Sequence, residues 1–172
     1  MRLCQQDDFL FDELTASEHL ELVCRLRGID QKDQIAQVIA DKAKEVDVET
    51  EIHKKVKFIS PGAKRKLSIA MALIGDAKFI ILDEPTSNLD LKSREKIWFL
   101  IKNIAQQKER CILISTQHIE EADFIGTKIC IIKDGKMSQC DTPENLKRKF
   151  GNGFKVKMIS DETRHQKYFK EK

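Results

Sequence analysis

Lys78-Phe79-Ile80-Ile81-Leu82-Asp83-Glu84-Pro85-Thr86-Ser87-Asn88-Leu89-Asp90 is an apolar run that stops abruptly at two acids, then passes through proline and small polar residues. Four apolar residues, Phe79 to Leu82, without polar alternation predict a strand buried on both faces, as in a parallel α/β sheet. In such sheets ligands bind beyond the carboxyl ends of the strands, where Asp83 and Glu84 fall. One carboxylate at that edge suits a divalent cation such as Mg2+. The other can orient and deprotonate a water beside a phosphate. An acid pair at a strand end also occurs as a helix cap or a solvated turn, and the pair alone does not choose between these roles.

Composition narrows the field. The 172 residues are 41% hydrophobic and 34% charged, which fits one globular domain with an ordinary core. A net charge of +3 is too small to make nucleic acid or an anionic membrane the main partner. Five cysteines, Cys4, Cys24, Cys111, Cys130 and Cys140, are odd in number and unclustered. That pattern predicts reduced, buried thiols in a cytosolic setting rather than a disulfide frame or a metal site. No apolar stretch is long enough to cross a bilayer, and Gln5-Gln6-Asp7-Asp8 interrupts any signal-peptide pattern, so the expectation is a soluble polypeptide.

Taken in order, Arg2-Leu3-Cys4 is the end of a strand. Thr15-Ala16-Ser17-Glu18 is a capping box that opens a helix with Leu20, Val23 and Leu26 on its apolar stripe and Gly28 at its stop. A second amphipathic helix is expected over about Lys32 to Glu45, and mostly loop from Val46 to Lys57. Ser60 is a good N-cap, Pro61 fits the first helical position, and Gly75 closes that helix. A helix opening sharply at Ser-x-Gly leaves its first amides free for an anion, although an ordinary capped helix has the same pattern. After Asp90 a long helix is predicted to bury Ile97, Leu100, Ile101 and Ile104, with Trp98 packed beside them. Cys111 to Ile114 reads as a second fully apolar strand, ending in Ser115-Thr116-Gln117-His118. Lys128 to Lys133 and Lys136 to Cys140 form a hairpin about Asp134-Gly135. Thr142-Pro143 opens one more helix, and Lys155 to Ile159 is expected to be a last strand before a polar tail. His19, His53 and His165 have no spacing that suggests metal.

The stretch from Phe79 to Asp90 closely resembles the Walker B motif and D-loop of ATP-binding cassette (ABC) ATPases, and the family's later landmarks follow in order. Gln6 matches the Q-loop glutamine, which in the family contacts the Mg2+ and water region. Ser60 and Gly62 match the signature motif, which binds the γ-phosphate of ATP held by a partner domain. Asp83 matches the metal-binding aspartate, Glu84 the general base and Asp90 the D-loop aspartate of the dimer interface. Three stretches are similar to subfamily A, the lipid-handling branch: Cys4-Gln5-Gln6-Asp7-Asp8 with Leu10-Phe11-Asp12, Lys64-Arg65-Lys66-Leu67-Ser68, and Phe150-Gly151-Asn152-Gly153.

The resemblance implies a P-loop NTPase-like α/β fold, a partial ABC ATPase domain over residues 1–159. Within it, a helical insertion subdomain covers about 9–75, a catalytic core covers about 76–159, and 160–172 is a tail. It also implies ATP and Mg2+ as substrate and cofactor and a second nucleotide-binding domain, head to tail, as partner. Transmembrane domains are the other partner, with no nucleic acid, and the location is the cytoplasmic face of a membrane.

Three departures from the family pattern qualify this. No Gly-x-x-x-x-Gly-Lys-[Ser/Thr] phosphate loop occurs, so the chain is expected to be a fragment whose missing strand belongs between the one ending at Ser115 and the one starting at Lys128. Pro61 replaces the first signature glycine and removes one N–H donor. Gln117 stands at the switch-histidine position with His118 next to it, and an amide cannot carry a proton at neutral pH. Gln117 is expected to face the nucleotide, His118 alongside. A degenerate, non-hydrolytic nucleotide-binding module is the competing expectation.

Overall fold

Three parallel strands set the frame in the computed structural model, which describes residues 1–107 and 110–151. β1 (Arg2–Cys4), β2 (Phe79–Asp83) and β3 (Cys111–Ser115) lie in the order β1-β2-β3, with Leu3 opposite Ile81 and Ile81 opposite Leu113. Because all three run the same way, their carboxyl ends share one edge. The turns that follow carry Gln6, Asp83 with Glu84, and Gln117 with His118.

The helices come from the segments expected. α1 (Ala16–Leu26) opens on the Thr15 capping box, with both reciprocal bonds made. α2 (Lys32–Val46) follows, and α3 (Pro61–Leu73) starts at Ser60, whose hydroxyl accepts from the Ala63 amide at 3.1 Å. α4 (Leu91–Ala105) is capped by Asp90, and α5 (Ile119–Ile125) leads from the turn after β3. β4 (Ile129–Lys133) and β5 (Lys136–Asp141) pair antiparallel, and Thr142 caps α6 (Pro143–Phe150). The β4–β5 turn places Asp134 at φ 50° and Gly135 at φ 71°, the paired positive angles of a hairpin turn. The predicted strand from Lys155 to Ile159 and the polar tail lie outside the described residues.

α3 is the central element. It buries Ala63, Arg65, Leu67, Ile69, Ala70, Ala72 and Leu73, around nearly its whole circumference. α1 and α2 pack against one side of it and the sheet against the other, and a single apolar core runs from Leu20 and Ile35 to Ile80, Leu82, Ile97 and Ile101. Trp98 is buried in packing, as its neighbours implied.

Four expectations are corrected. β2 and β3 are not buried on both faces: Ile80 and Leu82 face the helices, whereas Leu3 and Leu113 on the other face are 51% and 55% exposed. The described helices cover one side only. Leu26 is 75% exposed, because α1 ends there and Cys24 is its last core residue. The Val46 to Lys57 stretch is more ordered than a loop, with 3-10 turns at Glu49–Glu51 and Val56–Phe58 and a bridge between Thr15 and Lys55. The cysteines are not all reduced and buried. Cys130 and Cys140 are direct partners across the hairpin, Cα atoms 4.1 Å apart, and are joined as a disulfide, while Cys111 is exposed. Counting residues on either side of Asp134-Gly135 puts Gln139 opposite Cys130; a register shift between Ile131 and Ile132 brings Cys140 there instead.

Several carboxylates are held below their ordinary titration range by local donors. Glu18 accepts from the Thr15 backbone and hydroxyl, Asp47 is bonded by Lys96 and Lys66, and Asp90 by Ser93. A folded-state pKa below the unfolded one gives stability that is present above the unfolded value and lost as pH falls through the folded one. Thermal unfolding midpoints are therefore expected to stay level down to about pH 5 and to fall below about pH 4. Glu18→Gln, which keeps the capping-box bond but cannot ionise, is expected to flatten part of that slope. An unchanged slope in that variant would remove Glu18 from the account.

Candidate functional site

The sheet edge is built from backbone upward. Asp83 ends β2 opposite Ser115, the last residue of β3, and both lie on the open face of the sheet. The Ser115 hydroxyl donates to Asp83 Oδ1, which orients the carboxylate and leaves oxygen donors half-exposed at the strand tip. Such a hard, anionic oxygen set fits Mg2+.

One residue on, the chain makes its sharpest turn. Glu84 sits at φ 46°, in the left-handed region that a non-glycine residue seldom enters. Its amide donates to the Ser115 carbonyl at 3.1 Å, and its carbonyl accepts from the Ser87 amide at 3.1 Å. Asn88 is a second left-handed residue in the same loop, at φ 62°. Two such conformations within five residues are expected where the chain must reverse between a strand tip and a helix start, and strain of this kind gathers at functional sites. Glu84 is 9% exposed, so its carboxylate is largely shielded from bulk water.

Gln6 is exposed in the turn after β1, one strand away from Asp83. Ser60 is exposed at the start of α3, and Gly62 packs against the D-loop: a β-carbon there would meet the Asn88 carbonyl at 3.6 Å and Leu89 at 3.7 Å. The start of α3 and the loop before Asp90 are thus in contact. Asp90 spends one oxygen on the Ser93 amide at 3.0 Å and is otherwise open to solvent. Gln117 is exposed. His118 is half-buried, its backbone amide bonded to Thr116 Oγ1 at 3.0 Å and its carbonyl starting α5. The topology therefore brings Gln6, Asp83, Glu84, Gln117 and His118 to one edge, and places Ser60, Gly62 and Asp90 at the adjoining α3 and α4 starts.

The profile of the family described as ABC transporter matches residues 1–87, just over half of the chain. The chain belongs to the ABC transporter family. Among curated relatives, the rat ATP-binding cassette sub-family A member 17 is 38% identical over 156 residues, covering 91% of this chain and 9% of that protein. The human phospholipid-transporting ATPase ABCA3 is 36% identical over 159 residues, covering 92% of this chain and again 9% of that protein. The chain is a partial nucleotide-binding domain similar to those of subfamily A, spanning less than a tenth of these relatives' length. Among solved structures, the dimeric bacterial ABC transporter cassette MJ0796 superimposes with a TM-score of 0.76 at 27% identity, over 83% of this chain and 62% of that one. A dimeric post-hydrolysis state of the same cassette, bound to ADP and Pi, gives 0.74 at 28% identity, covering 82% of this chain and 62% of that one. The ABC ATPase fold is thereby shown. Among the described residues no helix is long and apolar enough to cross a membrane.

Two buried polar residues of the ABC domain escaped the motif reading. Arg65, which lies inside the Lys64-Arg65-Lys66 run, is 1% exposed and reaches both the Gln5–Gln6 turn and the Asp83–Pro85 turn. Glu121, which no motif marks, is 1% exposed and accepts from Thr86 Oγ1 and Trp98 Nε1, each at 3.0 Å. No sequence signal marks either residue: the burial of Ala63 and Leu67 on either side of Arg65 emerges only from the packing of α3. Burial also acts on Cys4, next to the Q-loop turn, pushing its thiol up to about 11 despite the nearby Arg65 charge.

Proposed function

We propose that the chain is the C-terminal part of an ATP-binding and ATP-hydrolysing domain that powers transmembrane transport, of lipid by the analogy of its relatives. The observation that carries this reading is the pair at the end of β2: Asp83 on the open face, fixed by Ser115, and Glu84 turned inward at a left-handed backbone position beside it. Neighbouring acids with unequal environments suit unequal tasks. Asp83 and Gln6 would hold Mg2+, which when bound supplies positive charge against the phosphate oxygens. Glu84 orients the attacking water and takes its proton. Gln117, with His118 beside it, offers hydrogen bonds to the terminal phosphate. Ser60 and Gly62 act on the ATP of a second nucleotide-binding domain docked head to tail, with Asp90 at that interface, and transmembrane domains dock on the assembly at the cytoplasmic face.

The test is a complete cassette, in which residues 1–172 follow a phosphate-loop segment. It is expected to hydrolyse Mg-ATP; a folded cassette that binds ATP and never turns it over would favour the non-hydrolytic reading. Gln117 and Pro61 are what favour that second reading, since neither can do what the family's histidine and glycine do.

Pro61 has a measurable consequence. It occupies the first position of α3, where a glycine would present an N–H to an anion. A hydrogen bond to a charged group contributes about 1.5–3 kcal/mol, so Pro61→Gly is expected to lower the ATP concentration for half-maximal dimer closure by about tenfold or more. The glycine also loosens the helix start by somewhat less than that, so the gain should win. Sedimentation of the cassette across an ATP titration measures it. An unchanged midpoint would show that the first amide of α3 does not meet phosphate.

A further inference from the structure

We propose that Arg65 is a positioning residue that sets the Gln6 turn and the Glu84 turn as one unit against the start of α3; this rests on the hydrolytic reading above. Every N–H of the guanidinium has an acceptor. Nε donates to the Pro85 carbonyl at 3.0 Å. Nη2 donates to the carbonyls of Asp83 and Glu84, the latter at 3.0 Å. Nη1 donates to the carbonyls of Gln5 at 2.6 Å and Gln6 at 3.1 Å, and to Asp8 Oδ1 at 3.0 Å. Five backbone carbonyls and one carboxylate thus converge on a single buried cation.

The choice of arginine follows from that count. A planar fork with five donors in fixed directions can satisfy two separate turns at once; an ammonium with three donors cannot. Three successive carbonyls, of Asp83, Glu84 and Pro85, can point at one group only if the chain curls tightly, and the left-handed Glu84 is that curl. Arg65 therefore holds the conformation that presents the Glu84 carboxylate. It lies five residues after Ser60, about one and a half turns along α3. The helix start offered to one ATP is consequently tied, through one side chain, to the two turns that act on the other. A buried ion is costly to leave unpaired, so the three parts move together or not at all.

The experiment has two arms, and the first is independent of catalysis. Amide hydrogen exchange is compared for the 172-residue chain and its Arg65→Lys variant. The Glu84 and Ser87 amides, bonded to the Ser115 and Glu84 carbonyls, are expected to exchange about tenfold faster in the variant while the amides of α1 keep their protection. Wild-type exchange at those two amides, or an equal loss of protection throughout α1 and α2, would overturn the assignment. In the second arm, the complete cassette carrying Arg65→Lys is expected to lose about tenfold to a hundredfold in kcat with little change in the KM for ATP. An unchanged kcat, or a loss confined to KM, overturns the proposal. Asp8→Ala keeps the guanidinium but removes its carboxylate partner, and serves if Arg65→Lys does not fold. It is expected to slow kcat in the same direction, and an Asp8→Ala cassette as fast as wild type also overturns the proposal. If the wild-type cassette itself does not hydrolyse ATP, the hydrolytic reading fails, and the exchange arm still decides what Arg65 holds in place.

Discussion

Glu84→Gln in the complete cassette is expected to cut ATP turnover by about 10²–10⁴-fold while ATP affinity stays nearly as it was. The expectation is sharp because the residue's structural work is done by its backbone. Its amide bonds Ser115, and its carbonyl bonds Ser87 and Arg65. Glutamine keeps all of these, along with the size and shape of the side chain, and loses only the capacity to accept a proton. A fall in turnover therefore reports chemistry rather than collapse of the turn. Asp83 gives the contrasting control. It is tied through its side chain to Ser115, so Asp83→Asn changes both the proposed Mg2+ ligand and a strand-tip hydrogen bond, and should weaken the Mg2+ dependence as well as the rate. Single-turnover hydrolysis with saturating ATP separates the two variants. Turnover that survives Glu84→Gln intact would exclude this carboxylate as the base, whatever its position at the strand end.

Local chemistry made most of the frame legible. The capping box at Thr15, the Ser60-Pro61 helix start, the Asp134-Gly135 turn and the Thr142-Pro143 start are each decided within four or five residues, and each forms where the sequence places it. Burial was less legible because it depends on what packs above an element. The apolar run Phe79 to Leu82 promised two covered faces, but register aligns Leu3, Ile81 and Leu113 on a face that no described helix covers. Among the described residues β3 pairs with β2 alone and β4 with β5 alone. The site residues named from motifs lie at the shared sheet edge and the adjoining helix starts, as the topology of parallel strands requires. What the sequence concealed is the pair of buried charged groups. Arg65 and Glu121 act across fifteen residues or more, on carbonyls, a hydroxyl and an indole that no spacing rule connects to them. A charge in a Lys-Arg-Lys run looks like solvated surface until the helix that carries it is seen to be buried on every side.

Glu121 supports the largest stability prediction. Its Oε1 accepts from the Thr86 hydroxyl and the Trp98 indole, so one oxygen links α5, the turn after Glu84 and α4. Thr86 and Trp98 are themselves buried. Glu121→Ala strands both donors and opens a void. At about 1–3 kcal/mol for each orphaned buried group, with a cavity cost added, a loss of about 3 kcal/mol or more is expected. Glu121→Gln is a different case. Oε2 is buried with no hydrogen-bond partner among the described residues. The charge is therefore solvated from one side only, and its removal relieves desolvation. Against that, hydrogen bonds from Thr86 and Trp98 to a neutral amide oxygen are weaker than to a carboxylate. The two effects oppose, and the glutamine variant should lie within about 1 kcal/mol of wild type. Urea unfolding at constant slope distinguishes the pair, and an alanine variant as stable as wild type would show that the three elements do not depend on this contact. A further reason to expect a marked effect is location. His118 is the N-cap of α5, so whatever holds α5 to Thr86 also sets the distance between the Gln117–His118 turn and the loop that carries Glu84. Loss of that tie should lower turnover in the complete cassette even at temperatures where the alanine variant remains folded.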